Sequence, residues 1–213
     1  MIVVRATTNI TTSLSQLVQA WIVAERTNRR LLVQWESLPP SLITLHPFFD
    51  YNRHDSKGAV EYTPKMHGLE DNKSLLTYYH QRVFTQILQI RQPVVLPYAH
   101  KQIAMWGSDS FGYLAEISRK HWCKLKYVYK FSGNCSNSSV MGASDPVVYQ
   151  AGVVPPKQIT EVGNADETWA NFLYLIACNV IITKPSVFVE TVCMMFRGKE
   201  YWVVGERGVT LEK

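Results

Sequence analysis

The chain has 213 residues, of which 46% are hydrophobic, 12% aromatic and 18% charged, a balance that excludes a disordered segment and a long solvated helix. A chain of this length buries roughly 70% of its unfolded surface and folds without a disulfide or metal staple, as one domain or two small ones. Its net charge of +5 is concentrated in residues 91–130, where Arg91, Lys101, Arg119, Lys120, Lys124, Lys126 and Lys130 face only two acids.

Ile2 to Arg5 reads as a strand, followed by a polar loop over residues 6–12. Leu14, Leu17, Val18, Trp21 and Ala24 then keep helical spacing up to Asn28, with Thr12 or Ser13 as N-cap and Gln16 as a capping-box partner. Residues 31–35 form the next strand. Strand, helix and strand within about 35 residues is a βαβ unit, so the fold class is α/β. Residues 36–75 carry Pro39-Pro40, His46-Pro47, Lys57-Gly58 and His67-Gly68, which predicts loops with short elements. A helix over 74–88 has the apolar stripe Leu75, Tyr78, Tyr79, Val83 and Ile87.

A second α/β half begins near residue 88, which divides the chain into 1–88 and 89–213. Its predicted elements are a strand over 103–106, a turn over 107–110, a helix over 111–121 and a strand over 125–129. A Ser/Asn/Gly-rich loop follows over 131–148. Trp169, Phe172, Leu173 and Ile176 mark a helix over 167–178. The last elements are a strand over 180–182, a turn over 183–186, a helix over 187–197 and a strand over 201–204.

In an open α/β sheet, ligands bind beyond the carboxyl ends of the strands, where helix N-termini present free N–H groups. Three turns qualify, over residues 6–12, 107–110 and 183–186. The third, Thr183-Lys184-Pro185-Ser186, offers a hydroxyl, an ammonium and free amides to a phosphate; the plainer reading is that Ser186 caps a helix behind Pro185. Asp109 either holds a ribose or base, or caps the helix after it. Arg91, in Gln89-Ile90-Arg91-Gln92-Pro93, either grips a diphosphate bidentately or forms an ordinary surface ion pair. The basic run over 91–130 is likewise a solvated face or an anion-binding surface.

Several chemistries are disfavoured. Cys123, Cys135, Cys178 and Cys193 are widely spaced without C-x-x-C or zinc-ligand spacing, so reduced, mostly buried thiols and no metal are expected. There is no D-x-D, no G-x-x-x-x-G-K-S/T, no G-x-G-x-x-G after the first strand and no G-x-S-x-G. No nucleic-acid-binding motif is evident, so nucleic acid is not an expected partner. The sequons at Asn9, Asn72, Asn134 and Asn137 matter only in a secreted protein. Met1 leads straight into Ile2-Val3-Val4, and the apolar stretch 172–182 is too short to span a bilayer. The expectation is a chain without signal peptide or transmembrane segment, cytoplasmic by default, with a module cut from a longer chain left open.

The order of motifs resembles a known family. Thr12-Ser13-Leu14-Ser15-Gln16-Leu17-Val18-Gln19-Ala20-Trp21, followed by Ala24-Glu25-Arg26-Thr27-Asn28-Arg29-Arg30-Leu31-Leu32-Val33-Gln34-Trp35, is similar to the opening βαβ of fucosyltransferase-like proteins, among them the nodulation fucosyltransferases. Asn171-Phe172-Leu173-Tyr174-Leu175-Ile176-Ala177-Cys178-Asn179-Val180-Ile181-Ile182-Thr183-Lys184-Pro185-Ser186-Val187-Phe188 resembles that superfamily's donor-site segment. Residues 103–110 resemble its intervening strand, ending in Asp109 between two serines or threonines. The likeness covers about half the chain.

The resemblance implies a compact GT-B-like arrangement of two small Rossmann-like halves with mainly parallel sheets. The first half would take the acceptor and the second the nucleotide-sugar donor. It places Ser186 and Phe188 at the donor phosphates, with Lys184 in the same turn, Asp109 near the nucleotide, and Arg91 on the β-phosphate. The implied activity is metal-independent transfer of fucose from GDP-fucose to a glycan acceptor with inversion, needing no cofactor beyond the donor itself. Fixed cations and helix N-termini can stabilise the departing diphosphate. Two positions depart from the family pattern. Its first loop carries Gly-x-Gly where this chain has Asn9 and Thr11, and its His-x-Arg-x-Gly is here Gln89-Ile90-Arg91-Gln92-Pro93. No general base is singled out, Asp109, Glu161 and Asp166 being candidates by location. The alternatives are another nucleotide sugar as donor, or a non-catalytic nucleotide- or glycan-binding relative.

Overall fold

The computed structural model describes residues 1–7, 9–55, 57–91, 103–106, 127–131, 147–150, 153–158, 167–183, 185–196, 199–205 and 208–212. The chain divides into two units, Met1–Gln92 and Pro93–Lys213. Both mix helices with strands.

In the first unit, β1 (Ile2–Arg5) lies between β2 (Leu31–Gln34) and β4 (Val60–Glu61), parallel to both. Ile2, Val3 and Val4 are buried in β1, as are Leu31, Leu32 and Val33 in β2. Consecutive strand residues point to opposite faces, so this sheet is covered on both sides and shows an apolar run instead of alternation. The crossover between β1 and β2 is helix α1 (Ile10–Arg26), which touches both strands and, on another side, helix α3 (Lys73–Arg82). Contact on two sides explains why Ser13, Gln19, Ala20 and Ala24 are buried along with Leu14, Leu17, Val18, Trp21 and Ile22.

The start of α1 corrects the sequence reading. Its N-cap is Asn9, whose side chain accepts from the Thr12 N–H at 3.0 Å, and not Thr12 or Ser13. All three residue types cap well, and the sequence offers them within five positions. The earliest wins because β1 ends at Arg5 and the turn is short, while Ser13 is drawn inward to bond Thr7. At the other end Asn28 takes a left-handed φ of 50°. The Arg29 N–H reaches the Ala24 carbonyl and the Asn28 N–H the Glu25 carbonyl, a Schellman termination with Asn in glycine's usual place.

The linking region 36–72 holds short elements: β3 (Ile43–Leu45), a 3-10 turn (Tyr51–Arg53), β4 and the four-residue helix α2 (Pro64–His67). Buried Gln19 ties its end to α1, donating to the Glu70 carbonyl and accepting from the Glu70 N–H, both at 2.8 Å. The Asn72 N–H and the Arg26 guanidinium hold the Glu70 carboxyl below the usual carboxylate range.

The predicted helix over 74–88 is shorter than expected. Asn72 caps α3, which stops at Arg82; a π-helical turn (Val83–Ile87) follows and then strand β5 (Leu88–Ile90), antiparallel to β3. Val83, Ile87 and Leu88 are fully buried, so the apolar stripe is real, but the backbone unwinds to bring Leu88 into the strand. Tyr79 lies against Trp21 and donates to Glu25 at 2.5 Å, whereas Tyr78 is half exposed. Burial and the Glu25 carboxylate push the Tyr79 hydroxyl up to about 12. Arg82 stacks over Trp21 at 4.6 Å and pairs with Glu25 at 3.3 Å.

In the second unit one sheet has the order β12-β11-β10-β6-β7-β8-β9. Its four central strands, β11 (Glu200–Gly205), β10 (Val180–Thr183), β6 (Ile103–Trp106) and β7 (Tyr127–Phe131), are parallel. The flanks are antiparallel: β8 (Val147–Gln150) and β9 (Val153–Gln158) beside β7, and β12 (Gly208–Glu212) beside β11. The sequence reading anticipated the parallel strands but not these additions. On the outer strand β9, Pro155 and Pro156 each lack an N–H, so at least one donor is missing from the free edge. Helices α4 (Glu167–Ala177) and α5 (Val187–Met195) flank β10 in sequence and touch each other. Trp169, Phe172, Leu173 and Leu175 of α4 are buried.

His80 gives the first unit a pH signature. It is buried, its Nδ1–H donates to the Leu76 carbonyl at 2.8 Å, and desolvation lowers its pKa from 6.5. The denatured chain therefore binds a proton near pH 6.5 that the native chain refuses, so stability falls as pH drops through and below that value. Urea titrations at pH 7.5 and pH 5 should show this loss in the wild type and a flatter profile in His80→Asn. The lowered pKa of Glu70 adds its own loss only at pH below 4.5, which keeps the two windows apart.

Candidate functional site

The strand order of the second unit reverses beside β6. Its sequence successor β7 lies on one side, while β10 and β11 lie on the other. A crevice opens at such a reversal, outside the carboxyl ends of the strands, because successive connections leave for opposite faces. Trp106 and Thr183 are register partners, so β6 and β10 end level with each other.

β10 is buried throughout, and its turn enters α5 through an N-cap. Ser186 has extended backbone angles, φ −147° and ψ 115°. Its hydroxyl accepts from the Val189 N–H at 3.5 Å and its carbonyl from the Glu190 N–H at 2.9 Å. The capping role is thus occupied as the sequence allowed, leaving the helix's positive end at the strand's carboxyl end. Val187, the first helical residue, is 67% exposed, and Glu190 places an acid in the first turn.

Phe188 is half-buried, its ring edge-on to Phe172 at 5.6 Å, and Phe172 in turn meets Trp169 at 5.5 Å. These contacts anchor α5 on α4. Lys199 fixes the other end of the strand: its amine donates to the Ile176 and Cys178 carbonyls at the C-terminus of α4, where a cation is favoured. The Glu200 N–H completes the junction by bonding the Asn179 carbonyl at 2.8 Å. Burial lowers the pKa of Lys199 and pushes the thiols of Cys178 and Cys193 up to about 12 and about 11. Both cysteines are free, and at neutral pH they are protonated packing residues, not nucleophiles.

The first unit has its own reversal, with β2 and β4 on opposite sides of β1. The turn there is closed by its own side chains. Ser13 Oγ accepts from the Thr7 N–H at 2.9 Å and donates to the Thr7 carbonyl at 3.2 Å. Ser37 Oγ donates to that same carbonyl at 3.2 Å and accepts from the Trp35 indole at 3.1 Å.

Of the residues predicted to hold the donor, Ser186 and Phe188 are brought to the first turn of α5. Arg91 is exposed, one residue past β5 in the first unit, with its backbone N–H on the Leu42 carbonyl at 2.8 Å. Asp109 and Lys184 lie outside the described residues, as do Glu161, Asp166, Cys123 and Cys135. Among the described residues no His, Cys, Asp and Glu side chains group as a metal site, and no helix is long and apolar enough to cross a membrane.

No protein-family model matches the chain, and no curated protein or solved structure matches it either.

The cap is the testable part of this geometry. Ser186→Ala should lower stability by about 1 kcal/mol in urea denaturation, the usual cost of a lost N-cap, whereas Ser186→Asp should restore most of it.

Proposed function

We propose that the chain is a metal-independent glycosyltransferase that moves fucose from GDP-fucose to a glycan acceptor with inversion. In this reading its two α/β units are the Rossmann-like halves of a compact GT-B-like fold. The observation that carries the proposal is the level ending of β6 and β10 at the strand-order reversal, with the capped N-terminus of α5 beside it. The segment that resembles the fucosyltransferase donor site is the one that builds this end of the sheet. A departing nucleotide diphosphate needs positive potential that is already in place when the C–O bond breaks. The first-turn amides of α5 supply part of it, and Lys184 is the cation assigned beside them; Arg91 is the arginine that the resemblance assigns to the β-phosphate. Asp109 is assigned to the nucleotide and Phe188 to positioning the turn through its packing on Phe172.

One observation favours a second reading, a nucleotide- or glycan-binding relative without transferase activity. Where the family has Gly-x-Gly, Asn9 is committed to capping α1 and Thr11 lies within that helix.

Thermal denaturation with nucleotides tests the proposal. GDP at one hundred times its Kd should add about 2.7 kcal/mol of stability, and UDP at the same concentration clearly less. Arg91→Ala should weaken the GDP response. Release of fucose from GDP-fucose, or its transfer to glycans, then separates an enzyme from a binder, and no stabilisation by any nucleotide would overturn the glycosyltransferase reading.

A further inference from the structure

Four arginines of the first unit meet a carboxylate: Arg5 faces Glu61, Arg26 faces Glu70, Arg53 faces Asp50 and Arg82 faces Glu25. Arg30, the half-buried residue before β2, has no carboxylate partner among the described residues. Its Nε is buried and without a hydrogen-bond partner. Its Nη2 donates to the Phe48 carbonyl at 2.8 Å and lies 3.0 Å from His54 Nε2. That ring nitrogen also lies 3.0 Å from the Pro47 carbonyl. The Phe48 ring, 52% exposed, covers the guanidinium with its centroid 4.2 Å from Cζ.

A buried N–H without an acceptor forfeits its hydration, and on a cation that loss is larger. Asp50 of the same loop is already engaged, accepting from Arg53 and from the Asn52 N–H. The neighbouring contacts also conflict. One ring nitrogen of His54 either accepts from Arg30 or donates to Pro47, never both. A single added acceptor resolves all of this. Nε and Nη2 form the side edge of a guanidinium, which receives two oxygens of one oxyanion in parallel. With such a ligand Nε gains its missing bond, Nη2 keeps the Phe48 carbonyl on its second hydrogen, and His54 Nε2 donates to Pro47.

We propose that Arg30 anchors an oxyanion site at the amino end of β2, binding a phosphate or carboxylate group through Nε and Nη2. Phe48 is the residue that yields. Its backbone is tied, the N–H to His46 Nδ1 and the carbonyl to Arg30, but its ring is half in solvent. Turning that ring aside gives up only a surface cation–π contact and an edge-on contact with Phe49. The site lies at the opposite end of β2 from the turn closed by Thr7, Ser13 and Ser37, and it stands independently of the glycosyltransferase reading.

NMR of protein with nitrogen-labelled histidine rings tests the proposal at pH 7.5, with His54→Gln identifying the His54 signal. Potassium phosphate, exchanged for chloride at constant ionic strength, should move His54 saturably to the form protonated on Nε2. Acetate is the carboxylate arm, and a saturable response to either anion supports the site while showing which group it takes. Arg30→Lys keeps the charge but lacks Nε, and should bind about tenfold more weakly, the loss of one charge-assisted bond. Phe48→Ala, a change at an exposed ring, should bind about threefold more tightly, because the anion no longer displaces the ring. No saturable response of His54 to phosphate or acetate, equal affinity in Arg30→Lys, or no gain in Phe48→Ala would each overturn the proposal. Phosphate bound only at the turn before α5 leaves the His54 signal where it was and counts as the first of these. Should Arg30→Lys fail to fold, Phe48→Ala decides.

Discussion

The burial of very short parallel strands constrains everything else in this protein. β1 and β10 have four residues each; Ile2, Val3 and Val4 of the one and all four residues of the other are inaccessible to water. A strand so short contributes little unless both faces are covered, because each fully buried aliphatic side chain is worth about 1.5–3 kcal/mol and there are few of them. Covering both faces consumes the sheet surface as a place for chemistry. Polar groups are then driven to the ends of the strands, where backbone donors change from sheet to helix partners. Ser186 and Phe188 lie near such an end, and the same economy explains why Lys199 is spent on the C-terminus of α4 at the opposite end of β10.

Much of this was legible in the sequence, for a physical reason. Ile2 to Arg5 and residues 103–106 are apolar runs bounded by turn residues, and their strands appear with the expected bounds. The helices over 10–26, 167–177 and 187–195 follow from the spacing of Leu14, Leu17, Val18 and Trp21, of Trp169, Phe172 and Leu173, and of Val189 and Val192. What failed depended on competition between equals or on long-range pairing. Asn9, Thr12 and Ser13 are equivalent caps by type, and only the bond between Ser13 and Thr7 decides among them. The end of α3 is set by β3, forty residues earlier, which recruits Leu88 as a strand partner against local helix periodicity. β12 and the β8–β9 pair are antiparallel additions whose partners no local pattern announces. In the candidate site, the cap at Ser186 was readable from type and position; the level ending of β6 and β10 was not, since register is a property of long-range pairing.

The two strand-order reversals show what distinguishes a scaffold from a site. In the first unit, Ser13 and Ser37 bond Thr7 and Asn9 caps α1, so these described side chains of the turn after β1 are already paired within the chain. The backbone there also needs no glycine: Asn9 sits at φ −80°, within the region open to any residue, and Thr11 is helical. Where the fucosyltransferase-like pattern would have Gly-x-Gly, glycine's freedom has no use in this turn, and side chains that bond the backbone are the better choice. The second unit is built the other way. The turn after β10 leads into a helix N-terminus capped at one amide by Ser186. A self-satisfied turn gains nothing from an anion and resists being opened to receive one; first-turn amides at a helix N-terminus gain a bond without first breaking any. If one of these reversals binds a diphosphate, the energetics select the second, and the first is left to hold its unit's strands in register.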